Sequence, residues 1–404
     1  MTLFKKVPDP DRLPSGPPNN YATGCAFPPD EAPYLAVTTD HALLLYKRSG
    51  GIFSYLDGFS YGNTCYGGSF TANASYLAIP GKAPRLTIYK RAGDAFSALT
   101  DPVDVGPADD LYQVSFSTAG DYLAGACYAS PYIYIWKKSG ADTWTKLGNP
   151  AVLPTGITTG CSLDWDGNYL AVSHYTTPFI TIYKRSDSTF TKLDDPVDLP
   201  PGNSQRCAFS SNARWLAIGS ATSPYLTLYL RDGDTFTKIT PDSYPPECGY
   251  GAHFSSDGNF LVVSHYLSPF VTIYRRSGDT WNKVLDSDRD IPLPDRGYEN
   301  PAFSMVTTEG FYLSVSHWGY PYLTIYRYAS PTSPPFPTGK HKGLPPTEPS
   351  PIMLPAQAWG KIGRGTAQPF RDPRMSAPIN TSWKCPLDWK EPRPGDHMSK
   401  RRTG

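Results

Sequence analysis

Three tripeptides bring together residue types that could do chemistry: Ser173-His174-Tyr175, Ser264-His265-Tyr266 and Ser316-His317-Trp318, each followed by Pro and an aromatic. Rigid aromatics give contact area at small entropic cost, so His174, Tyr175, His265, Tyr266, His317 and Trp318 suit stacking on a carbohydrate or docking of a protein. In the competing reading each imidazole bonds to a neighbouring loop and each ring packs inside the fold. Recurrence at equivalent positions favours this second reading.

Catalytic and metal chemistry find little support. The seven His are scattered without metal-ligand spacing, and no nucleophile elbow accompanies them. Asp286-Ser287-Asp288-Arg289-Asp290 starts like a calcium loop, but Ile291 stands where the turn Gly belongs and Gly297 where the closing Glu belongs. Seven Cys, an odd number without close pairs, argue against a disulfide framework or a zinc module. Cys25, Cys161 and Cys207 occupy equivalent positions that suit a small buried residue. The expectation is a protein that is not an enzyme and holds no cofactor.

What positions these residues is a repeat. An aromatic-Leu pair recurs at Tyr34-Leu35, Tyr76-Leu77, Tyr122-Leu123, Tyr169-Leu170, Trp215-Leu216, Phe260-Leu261 and Tyr312-Leu313, at spacings of 42, 46, 47, 46, 45 and 52 residues. About ten residues on comes a second apolar strand. Pro178-Phe179-Ile180-Thr181-Ile182-Tyr183 alternates with the strand period, and Pro178 is read as its first residue. A Ser/Asp/Gly turn leads to a polar strand centred on one aromatic, as in Asp234-Thr235-Phe236-Thr237. A short strand of small residues precedes each aromatic-Leu pair. Four strands, A to D, make one unit, and such a sheet buries both faces only against neighbours. The spacing predicts an all-β, seven-bladed β-propeller over residues 1–330; a β-solenoid would need shorter coils and no systematic hairpins.

The seventh unit supplies A, B and C strands and then runs into Ser330-Pro331 with no D strand. The opening Phe4-Lys5-Lys6-Val7 matches the D strand Phe190-Thr191-Lys192-Leu193, so residues 3–7 are expected to complete the last blade and close the ring.

This architecture resembles the seven-bladed propellers of the tryptophan-aspartate (WD) repeat type, over residues 1–328, although the Gly-His and Trp-Asp dipeptides do not recur. The wording Thr-Ile-Tyr-Lys-Arg and Asp-Thr-Phe-Thr-Lys is similar to propeller repeats in structural gene clusters of tailed bacteriophages.

The B–C and D–A loops share one face, expected to be acidic from Asp9, Asp11, Asp101, Asp104, Asp194, Asp195, Asp198, Asp286, Asp288 and Asp290. On the other face Lys47-Arg48, Lys90-Arg91, Lys137-Lys138, Lys184-Arg185 and Arg275-Arg276 mix with Asp94, Asp142, Asp234 and Asp279. Mixed charge is not a phosphate track, so no nucleic-acid partner is expected; solubility and edge protection are the expected roles. No apolar run of 18 residues occurs and no charged-then-apolar leader opens the chain, so a soluble protein without membrane insertion is expected.

Residues 331–404 depart from the repeat. They carry 12 Lys or Arg against 5 Asp or Glu, a formal +7 against about −6 for residues 1–330, and about one residue in five is Pro. Trp359, Phe370, Trp383 and Trp389 punctuate this stretch, as suits an extended arm that becomes ordered on another protein. The functional expectation is a virion structural or scaffolding protein of a tailed phage, made in the host cytoplasm and present in several copies. The arm would dock on other virion or scaffold proteins. A lectin-like propeller that binds a surface glycan, or a cytoplasmic protein-interaction propeller, is the alternative.

Overall fold

The computed structural model describes residues 4–14, 21–82, 85–99, 110–265, 268–284, 289–290, 301–303, 310–317 and 320–328, all within the first of two units of the chain, Met1–Pro335. They form seven sheets. Six contain four strands in the order A-B-C-D; in blade 4 these are Thr158–Leu163, Tyr169–His174, Ile180–Ser186 and Thr189–Lys192. The only helix among the described residues is one 3-10 turn, Ala72–Ala74.

Burial explains the sequence pattern. B strands are buried throughout, because each is sandwiched between two neighbouring blades, and they therefore read as continuous small and β-branched runs. D strands lie outermost and bury one aromatic: Phe190 is buried between exposed Thr189 and Thr191. The core is divided into clusters at the blade interfaces. Tyr169, Ile180 and Ile182 of blade 4 meet Cys207, Leu216, Tyr229 and Phe236 of blade 5. Each fully buried aliphatic or aromatic side chain contributes roughly 1.5–3 kcal/mol.

Two polar devices repeat. At the A–B turns of blades 2 to 6 a short side chain accepts the backbone N–H five residues on: Thr71 from Tyr76, Ser117 from Tyr122, Asp164 from Tyr169, Ser210 from Trp215 and Ser255 from Phe260, at 2.9–3.0 Å. At C–D turns the acids reach back to the preceding blade. Tyr169 donates to Asp234 Oδ1 at 2.6 Å while Lys184 Nζ stands 2.7 Å from Asp234 Oδ2. Tyr34 and Lys47 hold Asp94, and Tyr76 and Lys90 hold Asp142, in the same way. The mixed charges expected to serve solubility are thus clamps between blades. Lys47 and Lys184 depress the Asp94 and Asp234 carboxyls below the usual range, with hydrogen bonds from the tyrosines acting in the same sense. These pairs are about half exposed, so they fix blade register more than they stabilise.

The seventh sheet has strands Ala302–Phe303, Phe311–Ser316 and Leu323–Tyr328. Outside Leu323–Tyr328 lies Phe4–Lys6, antiparallel, with Phe4 opposite Tyr328, Lys5 opposite Arg327 and Lys6 opposite Tyr326. Val7 N donates to Ile325 O at 2.9 Å. Phe4 is completely buried, its ring 5.8 Å from Phe260 and 5.3 Å from Tyr328. A fifth strand, Arg289–Asp290, runs parallel to Phe4–Lys5 and covers that edge, where the repeat pattern predicts a loop.

Pro178 is a second departure from expectation. It sits in a cis peptide within the B–C loop, and Phe179 at φ 66° interrupts the extended run, so strand C begins at Ile180.

Candidate functional site

The face built from B–C and D–A loops carries the aromatics that the sequence singled out. Five of its B–C loops share one build, in which Tyr132, Phe179, Tyr225, Phe270 and Tyr322 follow a cis proline and take φ between 63° and 71°. Bulky side chains seldom adopt this left-handed region, and it persists only where neighbouring bonds dictate it. Here each of the five carbonyls accepts a backbone N–H from the end of strand B, at 2.8–3.1 Å. All five side chains are half-buried, which leaves a rigid aromatic rim. Tyr66 stacks on Tyr112 at 5.1 Å, with exposed Tyr128 6.4 Å from Tyr112, where blades 2 and 3 meet on the same face.

The three histidines do not reach this face. His174, His265 and His317 are completely buried, and their Nε2 atoms lie 2.9–3.0 Å from Oγ1 of Thr181, Thr272 and Thr324 on the adjacent C strand. The imidazoles are thus held inside the fold, bonded to the adjacent strand and not to the neighbouring loop expected, and they are not available on the face. Tyr175 is half-buried, and its hydroxyl donates to Gln205 Oε1 at 3.1 Å. Tyr266 and Trp318 lie outside the described residues, as do Trp359, Phe370, Trp383 and Trp389. The face is also less acidic than expected among the described residues, because Asp9 and Asp195 pair with Lys6 and Lys192 at 2.9 and 2.7 Å. Asp101, Asp104, Asp286 and Asp288 are outside the described residues.

Burial pushes the His174 pKa down to about 4, while Asp195 and Lys192 act on it in opposite directions. An unfolded His takes up its proton near pH 6.5, so between pH 6.5 and 4 the unfolded chain binds more protons than the folded one. Stability from this residue is fully present above pH 6.5 and is lost as pH falls through 4, by about 3 kcal/mol in all. Thermal melts across this range should show that loss, and a His174→Gln variant, which has nothing to titrate there, should show a shallower one.

The axis of the ring opens on the opposite face. A strands from blades 1 to 6, together with Pro301 of blade 7, surround a cavity of about 200 Å³. Its wall includes Cys25, Cys161 and Cys207, and burial raises all three thiols, Cys25 and Cys207 to about 12, so they stay protonated and unreactive. All six described cysteines are buried, and no group of three metal-ligating side chains forms among the described residues. At the rim stands Trp165, 41% exposed. The sequence reading missed Trp165 because it sought what recurs, and the signal for this residue is its failure to recur.

The fold thus defines a seven-bladed β-propeller. Among solved structures the chain is similar to the β-propeller domain of Cps50 (Swd1) from Myceliophteria thermophila, at 11% identity and a TM-score of 0.58, over 81% of this chain and all of that one. At this identity the likeness concerns the fold. No family model matches the chain, and no curated protein matches it.

Proposed function

We propose that this propeller is a non-enzymatic protein-interaction scaffold. The observation that carries the reading is the aromatic rim of the B–C face, where five aromatics are held at positive φ by hydrogen bonds from strand B. Groups already fixed in place lose little entropy when a partner covers them, so such a rim favours docking of a folded surface.

In finer terms the protein is a virion component of a tailed phage, fastened to the particle by residues 331–404 and present in several copies. The wording of the repeats supports the phage context, and the basic, Trp-bearing composition of residues 331–404 supports docking there. Within the ring, Phe4–Lys6 acts as the closing D strand.

Deletion of residues 331–404 is expected to leave a folded ring with the same circular dichroism and melting behaviour, but one absent from purified particles by mass spectrometry. Incorporation of the truncated ring at the full-length level would refute anchoring by the arm. Absence of the full-length protein from particles would refute the virion role while leaving the scaffold reading intact.

A further inference from the structure

In an array of repeats, what recurs holds the array together, and a position that breaks the pattern is free to serve something else. Two departures meet at the axial cavity. The residue that follows the hairpin-capping side chain is Ala72, Thr118, Ser211 and Ser256 in blades 2, 3, 5 and 6, but Trp165 in blade 4. The residue before the last apolar position of strand A is Ala26, Ser69, Ser115, Ser162, Ala208 and Ala302 in six blades, but His253 in blade 6. Trp165 and His253 both line the cavity.

The remaining wall sets the chemistry. Ser69, Ser115 and Ser162 accept the backbone N–H of Phe116, Leu163 and Phe209 on the next blade at 2.9–3.0 Å, which stitches the A strands together. Ser162 spends its own proton on Leu163 O at 3.4 Å, whereas Ser69 and Ser115 accept in this way and keep theirs to donate. Among the described residues no Lys or Arg lines the cavity, so an anion finds no counter-charge from them. The one carboxyl, Asp164, is buried and already accepts the N–H of Tyr169 at 3.0 Å. Thr118 N donates to Trp165 O at 2.9 Å and fixes the turn that carries the indole. A flat apolar platform, hydroxyl groups and an imidazole around a small uncharged space suit a ring with one apolar face and an edge of hydroxyls.

We propose that this cavity binds a single neutral saccharide unit, stacked on Trp165 and hydrogen-bonded by His253, Ser69 and Ser115. The site lies on the face opposite the aromatic rim and is independent of the scaffold reading.

Saturation-transfer NMR and calorimetry on the full chain, with the methyl glycosides of glucose, galactose, mannose and N-acetylglucosamine as probes, test it. The expected result is saturable binding of at least one, in the millimolar range that a ligand of about a dozen heavy atoms reaches. Trp165→Ser and His253→Ser install residues that other blades already carry, so both variants should fold. Trp165→Ser should weaken binding at least ~10-fold, the scale of one lost aromatic contact. Failure of every glycoside to saturate, equal binding by wild type and Trp165→Ser, or binding of choline in place of the sugars would each overturn the proposal.

Discussion

Phe4→Ala is expected to destabilise the ring by about 3–5 kcal/mol, the usual range for emptying a fully buried phenylalanine site. The ring of Phe4 sits edge-on to Phe260 of blade 6 and Phe311 of blade 7, at 5.8 and 5.9 Å, and 5.3 Å from Tyr328, so one side chain ties two blades and the first strand together. Removal of residues 1–7 should do more. It would strip the antiparallel partner from Leu323–Tyr328 and the parallel partner from Arg289–Asp290, leaving an open sheet edge prone to pair with other chains. Chemical denaturation should show a lower midpoint for Phe4→Ala, and light scattering should show association of the truncated chain. Phe4→Leu, which keeps most of the volume, should fall between wild type and Phe4→Ala.

The second large effect is expected at the junction of blades 5 and 6. There Trp215 replaces the clamping tyrosine, and it meets Trp281 edge-on at 5.6 Å with both rings buried. Arg214 and Asp279 approach to 3.1 Å nearby but are half exposed, so the indoles dominate the contact. Trp281→Ala should cost about 3–5 kcal/mol. Trp281→Phe should cost less than about 1.5 kcal/mol, because the buried Nε1–H of Trp281 has no acceptor among the described residues and loses nothing when removed. Trp144 makes the contrast: its Nε1–H donates to Gly120 O at 2.9 Å, so Trp144→Phe should cost more than Trp281→Phe. Denaturation of the three variants under one condition tests the order, and equal costs for the two Phe variants would contradict it.

The blade count and strand order were legible in the sequence because a sheet buried on both faces requires a periodic aromatic-Leu signature, and seven copies of it are present. A structural place for His174, His265 and His317 was legible from their recurrence, but their partners were not: the expected loop contact is a bond to a Thr seven residues on in the adjacent strand. Contacts between repeats were not legible either. Asp94 and Asp142 looked like solubility charges because their partners Lys47 and Lys90 lie 47 and 52 residues away, on another blade. Pro178 looked like a strand start because a proline at that place fits the period, while the left-handed turn at Phe179 depends on loop hydrogen bonds that no local pattern encodes. The strand Arg289–Asp290 was hidden because it pairs with Phe4 and Lys5, at the far end of the chain.

Hydrogen exchange at the amide of Val7, which donates to Ile325 O, reads the first strand directly in the native protein. A first segment that closes the circle should give Val7 and Lys5, whose amides face that strand, protection comparable to that of Leu323–Tyr328, losing it only when the whole ring unfolds. Exchange of those two amides within seconds, while Leu323–Tyr328 stays protected, would mean that the circle stands without its opening residues.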